Sequence, residues 1–439
     1  MITKHFDAGI FGETPSSYLT AYLLSRLGYS VCLCEKSYEK EGPRSYPSFY
    51  PFIFYENGPF METIRLAGKE NEFRKFLSPL SIQIILPEGR TEFFPQKEKL
   101  QRELAWLFKK DTDKEIENIS RISALNREIS SAEMEIYSKK QSISKLIKLK
   151  IKRITLQQRN YEAQKWLTHY IYKVLGIGLP SSPSVHLYTS PLNGDAYTAG
   201  KMPASLIDFL SKKLCAEMPR INTEGATVDP SELAITASTK KFTFKTLIMD
   251  TMQARQFLSK EALDKCLKFF MPELIWFPVI AEIKREGLPV GTGNDLILFD
   301  PENAFENGNL LYFRIFKTGE HAELNIYSLW NLKIMETPDP IREIVGAVMD
   351  RVRDFMPFID KHLIKVQHPQ AAEEIPSCFF NYFYSIKKKP HLFKPLFRNR
   401  LDKNIFFVGP ELFPHWGAEG EALSALEAVR SAEKILKKS

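Results

Sequence analysis

The sequence lacks the features that most often fix a function class. Its 439 residues contain no uninterrupted apolar run of about 18, so no membrane-spanning helix is expected. It has neither a G-x-S-x-G elbow nor a P-loop, so hydrolase and nucleoside-triphosphatase chemistry have no support. Its histidines are scattered without an H-x-x-x-H pair, and we predict no metal site.

Cysteine is scarce as well, with five residues and no C-x-x-C pair. Cys32 and Cys34 lie two apart on a predicted strand, so both side chains point to one face and we interpret them as packing residues. The N-terminus has no charged stretch followed by an apolar core and a small-residue cleavage site. These features predict a cytoplasmic protein.

Positive charge is concentrated in one segment. The formal net charge is +7, and residues 139–159 alone carry eight Lys or Arg and no acid. Because the rest of the chain is close to neutral, we expect no nucleic-acid partner. Three interpretations stay open for this segment: a solvated helix face, an acidic protein partner, or a peripheral membrane-surface contact through Leu146, Leu149 and Ile151.

Glycine and proline are both absent from residues 97–175. Charged and polar residues alternate there with Ile and Leu, which predicts long helices, with an antiparallel hairpin as one arrangement. Aromatic residues cluster instead at residues 378–385 and around Trp276 and Phe277. They favour a buried core, and an apolar pocket is the alternative.

What the sequence does contain begins with a βαβ pattern. Residues 6–11 read as a buried strand, Thr14 or Ser16 is placed to cap a following helix, and Gly28 ends that helix. Leu19, Tyr22, Leu23 and Leu27 form its predicted apolar stripe. A second strand over residues 30–34 follows. This pattern opens a nucleotide-binding fold.

The turn of this unit carries a degenerate dinucleotide fingerprint. In G-x-G-x-x-G, glycines make the turn, let the backbone approach a pyrophosphate and bring the helix close to the strand. The three positions are Gly12, Thr14 and Ser17, so one glycine survives. Glu35 stands where an acid holds ribose hydroxyls. Nucleotide binding and retention of the fold alone both remain open, because Glu13 adds a negative charge that competes with a phosphate.

A second nucleotide-fold pattern closes the chain. Residues 405–408 read as an apolar strand, Gly409 ends it, and residues 422–436 form a helix. Gly417 and Gly420 allow the backbone to approach a ligand closely. Helix-on-sheet packing without a ligand is the alternative interpretation.

Further motifs carry a resemblance to a known family. Gly42-Pro43-Arg44 is similar to a G-G-R motif, and residues 55–59 (YENGP) to the aromatic-acid-x-G-P turn that follows it. Residues 197–203 (YTAGKMP) are similar to a Y-P-x-G-G-M segment before a long helix, here residues 203–217. A C-terminal pattern, G-A-G-T-H-P-G-G-G-x-P-G-x-x-x-S, is matched at the same spacing by Gly409, Pro414, Gly417, Gly420 and Ser424.

Together these motifs resemble the flavin amine oxidase and phytoene desaturase superfamily over residues 4–66, 190–255 and 400–436. The sequence departs from the C-terminal pattern at Pro410, Glu411, Leu412, Phe413, His415, Trp416 and Glu419. Many members have an acid directly after the first glycine. Here Pro410 takes that place and Glu411 comes one residue later.

The resemblance implies an α/β fold with a Rossmann-like FAD-binding domain, discontinuous in sequence, and an inserted substrate or cap domain with long helices. It implies FAD as cofactor, with Gly12, Thr14, Ser17, Glu35 and Arg44 toward adenosine and pyrophosphate. Gly409, Glu411, Gly417 and Gly420 would face the flavin. The expected function is FAD-dependent oxidation of an apolar small molecule or lipid by hydride transfer, with no catalytic base assigned.

The alternative is a non-catalytic protein similar to the GDP dissociation inhibitors, which keep the fold without flavin and bind a protein or lipid.

The predicted domains are residues 1–96, 176–255 and 401–439 for dinucleotide binding, 97–175 as a helical insertion, and 256–400 as the substrate or cap domain.

Overall fold

The computed structural model describes residues 2–35, 53–56, 58–87, 89–93, 96–108, 196–199, 203–258, 260–298, 300, 307–375, 382–386, 395–414 and 417–437, with residues 117, 121 and 128 as isolated helical positions. The predicted helical insertion beyond residue 108, the basic segment 139–159 and Arg44 lie outside the described residues. Among the residues that the structure describes, no helix is both long and apolar enough to cross a bilayer.

The helices follow the capping signals of the sequence, and four of them begin at a proline, whose missing N–H is not needed in a first turn. They are α1 (Pro15–Arg26), α2 (Pro59–Leu66), α3 (Glu70–Arg74), α4 (Lys97–Phe108), α5 (Pro203–Phe209, continued as a π-helix over Leu210–Leu214), α6 (Thr251–Phe257), α7 (Lys260–Leu267), α8 (Pro340–Phe355), α9 (Ile359–His362) and α10 (Ala418–Leu436).

The strands form three sheets. In chain order they are β1 (Ile2–Phe11), β2 (Val31–Glu35), β3 (Ile53–Tyr55), β4 (Leu77–Pro79), β5 (Ile82–Leu86), β6 (Gly89–Phe93), β7 (Ala196–Ala199), β8 (Arg220–Asn222), β9 (Thr227–Asp229), β10 (Ala234–Ala237), β11 (Lys240–Met249), β12 (Phe270–Lys284), β13 (Asp295–Leu298), β14 (Leu311–Thr318), β15 (His321–Asn331), β16 (Leu363–Gln367), β17 (Tyr382–Ile386), β18 (Arg400–Asp402) and β19 (Ile405–Phe407).

The first sheet has the order β18-β19-β11-β1-β2-β8, with β9 and β10 attached to β11. Strands β19, β11, β1, β2 and β8 are parallel. The chain moves from β1 to β2 on one side and returns on the other side through β11 and β19. The predicted parallel sheet, built from three separated parts of the chain, is therefore confirmed. Ligands of such sheets bind at the carboxyl ends of the strands, where the strand order reverses.

Both faces of this sheet are covered by apolar side chains. α1, α2, α5 and α10 pack on one face around Ile10, Leu19, Leu210 and Val429, and the other face buries Cys32 and Cys34. The packing role predicted for these two cysteines is confirmed, since neither has exposed surface.

Two local predictions need correction. Leu27 is 52% exposed and Leu24 is buried in its place, because α1 ends at Arg26 and Gly28 turns the chain away with φ +90°. The C-terminal helix begins at Ala418, four residues before the predicted start, so two glutamates that the sequence assigned to a loop lie in its first turn.

The second sheet has the order β16-β12-β15-β14-β13-β5-β6, and β17 also pairs with β12. One face packs against α8 through residues such as Phe277, Phe313 and Val348, which places Phe277 in a core. Strand β5 pairs in parallel with β13, so residues 82–93 belong to this sheet and not to the first, where the boundary predicted at residue 96 had placed them. Their pairing partner is about 200 positions away, which no local pattern predicts. The third sheet, β3-β7-β4, is antiparallel.

Candidate functional site

The predicted site residues meet at one edge of the first sheet. Gly12 follows β1, Glu35 ends β2, and Gly409 follows β19 at the carboxyl ends of adjoining parallel strands. Asp250 follows β11 at the same edge, and its N–H donates to the carbonyl of Phe11 over 3.0 Å. The edge where the strand order reverses therefore gathers segments separated by more than 200 residues.

Gly12 is the fingerprint position that tolerates no side chain. Its φ is +139°, and a Cβ built there would lie 2.1 Å from Asp250 Oδ2 and 2.7 Å from Ser17 Oγ. The Asp250 carboxylate, 3% exposed, also accepts the N–H of Gln253 over 3.0 Å and so caps α6. The surviving glycine thus lets β1, β11 and α1 approach one another.

Thr14 caps α1, and Ser16, the other predicted candidate, does not. Thr14 Oγ1 accepts the N–H of Ser17 over 3.4 Å and lies 2.9 Å from Ser17 Oγ. Both residues that replace fingerprint glycines therefore bond to each other at the helix N-terminus. A side chain at position 14 satisfies a backbone donor that the fingerprint leaves to a phosphate.

Two buried glutamates from the first turn of α10 cap other helices. Glu421 Oε2 accepts the N–H of Ser16 in α1 over 3.1 Å, and Glu419 Oε2 accepts the N–H of Phe60 in α2 over 2.7 Å. Their exposures are 1% and 0%. The dipoles of α1 and α2 favour carboxylates at these positions. The sequence shows only that two glutamates follow a glycine turn. That these glutamates cap α1 and α2 is visible only in the tertiary structure.

Only one of the two carboxylate oxygens of Glu35 has a hydrogen-bond partner among the described residues. Its Oε2 lies 2.5 Å from Nη1 of Arg220 on β8, and Arg220 also donates to Ser211 Oγ over 3.0 Å. Its Oε1 is buried and has no hydrogen-bond partner within the described residues. No sequence motif indicates Arg220, which the parallel pairing of β8 with β2 places beside Glu35. One buried oxygen of Glu35 is therefore an acceptor without a partner among the described residues, in a carboxylate that lies close to the Tyr18 hydroxyl.

Glu411 shows the same pattern. The Thr251 hydroxyl donates to its Oε1, while its buried Oε2 has no partner in the described part of the chain. Burial and the negative charge of Asp250 raise the pKa of Glu411 to about 7. A Cβ at Gly409 would lie 2.3 Å from Glu411 Oε2, so the glycine leaves room for the carboxylate.

The C-terminal glycines position the helix. Gly417 precedes α10 with φ +52°, a conformation that favours glycine, and Gly420 is buried in its first turn. The Ser424 hydroxyl accepts the N–H of Gly409 over 2.8 Å and ties α10 to the loop after β19. Gly409 is therefore bonded to Ser424, on the helix whose start is formed by Gly417 and Gly420.

The side chains fit the sugar hydroxyls of FAD. Those hydroxyls can donate, and the oxygens of Glu35 and Glu411 that lack a partner within the described residues are buried acceptors whose desolvation such donors would offset. At the α1 N-terminus the described N–H groups of Ser16 and Ser17 are already bonded. Glu35 and Glu411 thus offer acceptors of the kind that sugar hydroxyls need, whereas the N-terminus of α1 already carries the carboxylate of Glu421.

A second polar cluster, which no sequence motif indicates, lies on the face of the second sheet opposite α8. Asp295 Oδ1 accepts Nε of Arg314 over 3.1 Å and the Tyr312 hydroxyl over 2.5 Å. Arg314 Nη2 reaches Thr198 Oγ1 of β7 at 3.5 Å. This buried ion pair joins the second sheet to the third. No group of three or more potential metal ligands occurs among the described side chains.

Solved structures with the same fold cover the whole chain. A putrescine oxidase variant with redesigned cofactor binding superposes with a TM-score of 0.52 at 14% identity, over 99% of this chain and 100% of that chain. A cyclohexylamine oxidase from Brevibacterium oxydans gives 0.51 at 12% identity, over 98% and 99%. The fold is that of the flavin amine oxidases. The expected resemblance is thus confirmed at the level of the fold.

Sequence comparison adds no closer relative. No protein-family model matches the chain, and no curated protein does. The likeness to phytoene desaturases in the C-terminal motif stays a prediction.

Proposed function

We propose that this chain is an FAD-dependent oxidoreductase that oxidises an apolar small molecule or lipid, with the hydride passing to the flavin. One observation carries the proposal. Two carboxylates at the edge of the parallel sheet, the partly buried Glu35 and the buried Glu411, each have one buried oxygen without a hydrogen-bond partner among the described residues. Burying an acceptor without a partner costs about 1–3 kcal/mol, and a cofactor with two hydroxyl-bearing sugars removes that cost at both positions.

Each site residue has a role in this proposal. Glu35 accepts from the adenosine ribose and Glu411 from the ribityl chain. Gly12, with the first turn of α1, approaches the pyrophosphate, and the Gly409 loop with the start of α10 approaches the flavin. FAD supplies the redox chemistry when bound, while the protein binds it, orients it and excludes water. Arg44, Thr14 and Ser17 remain proposed cofactor contacts.

The apolar substrate is supported by the second sheet. Its face opposite α8 carries the buried side chains of Trp276, Tyr312 and Tyr327, and the buried pair of Arg314 with Asp295 on that face is internally compensated. Aromatic side chains around a compensated ion pair are typical of the lining of sites for apolar molecules. An acidic partner or a membrane surface for residues 139–159, and the cytoplasmic location, remain proposals from the sequence.

Substitution at Glu35 tests the cofactor assignment. Glu35→Gln removes the charge but keeps the size and one acceptor oxygen, so FAD should bind roughly tenfold more weakly, because a charge-assisted hydrogen bond becomes a neutral one. Fluorescence titration of FAD measures this. Glu224→Gln, at an exposed position beyond β8, is the matched control. Equal affinity of FAD for Glu35→Gln and Glu224→Gln would show that Glu35 does not contact the cofactor.

A second candidate function is favoured by the occupied N-terminus of α1. Glu421 accepts the N–H of Ser16, and Thr14 accepts the N–H of Ser17. The N-terminus of α1 is therefore already hydrogen-bonded without a phosphate, as a protein that has lost FAD and binds a protein or lipid would require. If no FAD is taken up by either the unmodified protein or Glu224→Gln, this candidate replaces the first.

A further inference from the structure

The N-terminus of α1 is closed by the protein itself. Pro15 has no N–H, the Ser17 N–H is directed at Thr14 Oγ1, and the Ser16 N–H donates to Glu421 Oε2 over 3.1 Å. In dinucleotide-binding folds, the pyrophosphate sits at this helix end. The described N–H groups of the first turn that would donate to the pyrophosphate therefore already donate to oxygen atoms of the protein.

Glu421 is held in this position from two directions. It belongs to the first turn of α10, which packs directly against α1, so its carboxylate lies near the positive ends of both helix dipoles. It is 1% exposed. A buried carboxylate in the positive field of two helix ends is the same arrangement that stabilises a bound phosphate.

We infer that Glu421 is a built-in competitor for the pyrophosphate of the dinucleotide, so that FAD binds only when this carboxylate leaves the Ser16 N–H. The inference rests on the proposed function for the identity of the ligand. The contact itself is a feature of the chain without ligand. Two anions cannot share one helix N-terminus without strong repulsion in a buried site. Glu421 therefore lowers the affinity for FAD, and the start of α10 must rearrange before FAD can bind.

Two substitutions separate the charge of Glu421 from its hydrogen bond. Glu421→Gln keeps an oxygen for the Ser16 N–H and removes the charge, whereas Glu421→Ala removes both. Glu433→Gln is the matched control, since Glu433 lies on the same helix, about 18 Å further along the axis, and pairs with the surface residue Lys437. Thermal unfolding without ligand should show a lower midpoint for Glu421→Ala than for Glu433→Gln.

FAD titration gives the decisive result. The dissociation constant should fall at least tenfold in Glu421→Ala relative to the unmodified protein, with Glu421→Gln in between and Glu433→Gln unchanged. An affinity for FAD that is equal or weaker in both Glu421 variants overturns the inference while leaving the proposed function intact.

Inorganic pyrophosphate distinguishes the two possible failures. It carries the anion without the flavin, and at millimolar concentration it should raise the unfolding midpoint of Glu421→Ala but not of the unmodified protein. If it does so while no variant binds FAD, the inference about Glu421 holds and the proposed oxidoreductase is wrong. If pyrophosphate stabilises the unmodified protein and Glu421→Ala equally, Glu421 is not a competitor.

Discussion

At the scale of single residues, the site is defined by two carboxylates whose surroundings differ. Glu35 is partly buried and paired with Arg220, whereas Glu411 is fully buried, with the negative charge of Asp250 close by. Burial, and then the charge of Asp250, raise the pKa of Glu411 to about 7 from the usual 4.5, although the hydrogen bond from Thr251 acts in the opposite direction. Ionisation of such a carboxyl group lowers the free energy of unfolding.

The pH dependence of unfolding tests this. Because the folded state keeps the Glu411 proton up to about pH 7 and the unfolded state releases it near pH 4.5, the contribution of Glu411 to stability falls as pH rises between these values. Glu411→Gln should remove that loss, on the order of 3 kcal/mol. Urea unfolding of both proteins at pH 5 and pH 8 measures it. A stability difference between them that is the same at both pH values would contradict the raised pKa.

At the scale of secondary-structure elements, ion pairing fixes strands together. Asp295 on β13 and Arg314 on β14 are directly opposite in the register and both side chains are 9% exposed. Removing one partner of such a pair leaves an uncompensated buried charge.

Asp295→Ala should therefore destabilise the protein by about 3–5 kcal/mol, whereas Asp295→Leu combined with Arg314→Met should cost much less, because no charge remains buried. Urea unfolding of the single and double variants provides the measurement. Equal losses in stability for the single and the double variant would mean that the Arg314 charge finds another partner.

The elements also show what the sequence can and cannot predict. Strands β1, β2 and β19 and helix α10 could be predicted, since apolar runs and glycine turns are local signals. The contacts that decide the site join residues far apart in sequence: Ser16 with Glu421 and Glu35 with Arg220. A glutamate in a first helical turn indicates a favourable charge, but only the packing of α10 on α1 shows that it caps a neighbouring helix.

At the scale of the whole molecule, the fold of the flavin amine oxidases is retained while the fingerprint is not. The parallel sheet still brings Gly12, Glu35 and the Gly409 loop to one edge, and of the two residues that replace glycines, Thr14 caps α1 and Ser17 donates its N–H to Thr14. The fold alone does not settle the activity. The central question is whether the two unpartnered carboxylate oxygens bind the sugars of FAD.

The most direct measurement is the visible absorption spectrum of the purified protein after incubation with excess FAD and desalting. The account predicts flavin bands that survive desalting, weakly in the unmodified protein and more strongly in Glu421→Ala, where the competing carboxylate is gone. A colourless protein in both cases would contradict it and would mean that the chain has kept the flavoprotein fold for binding another partner.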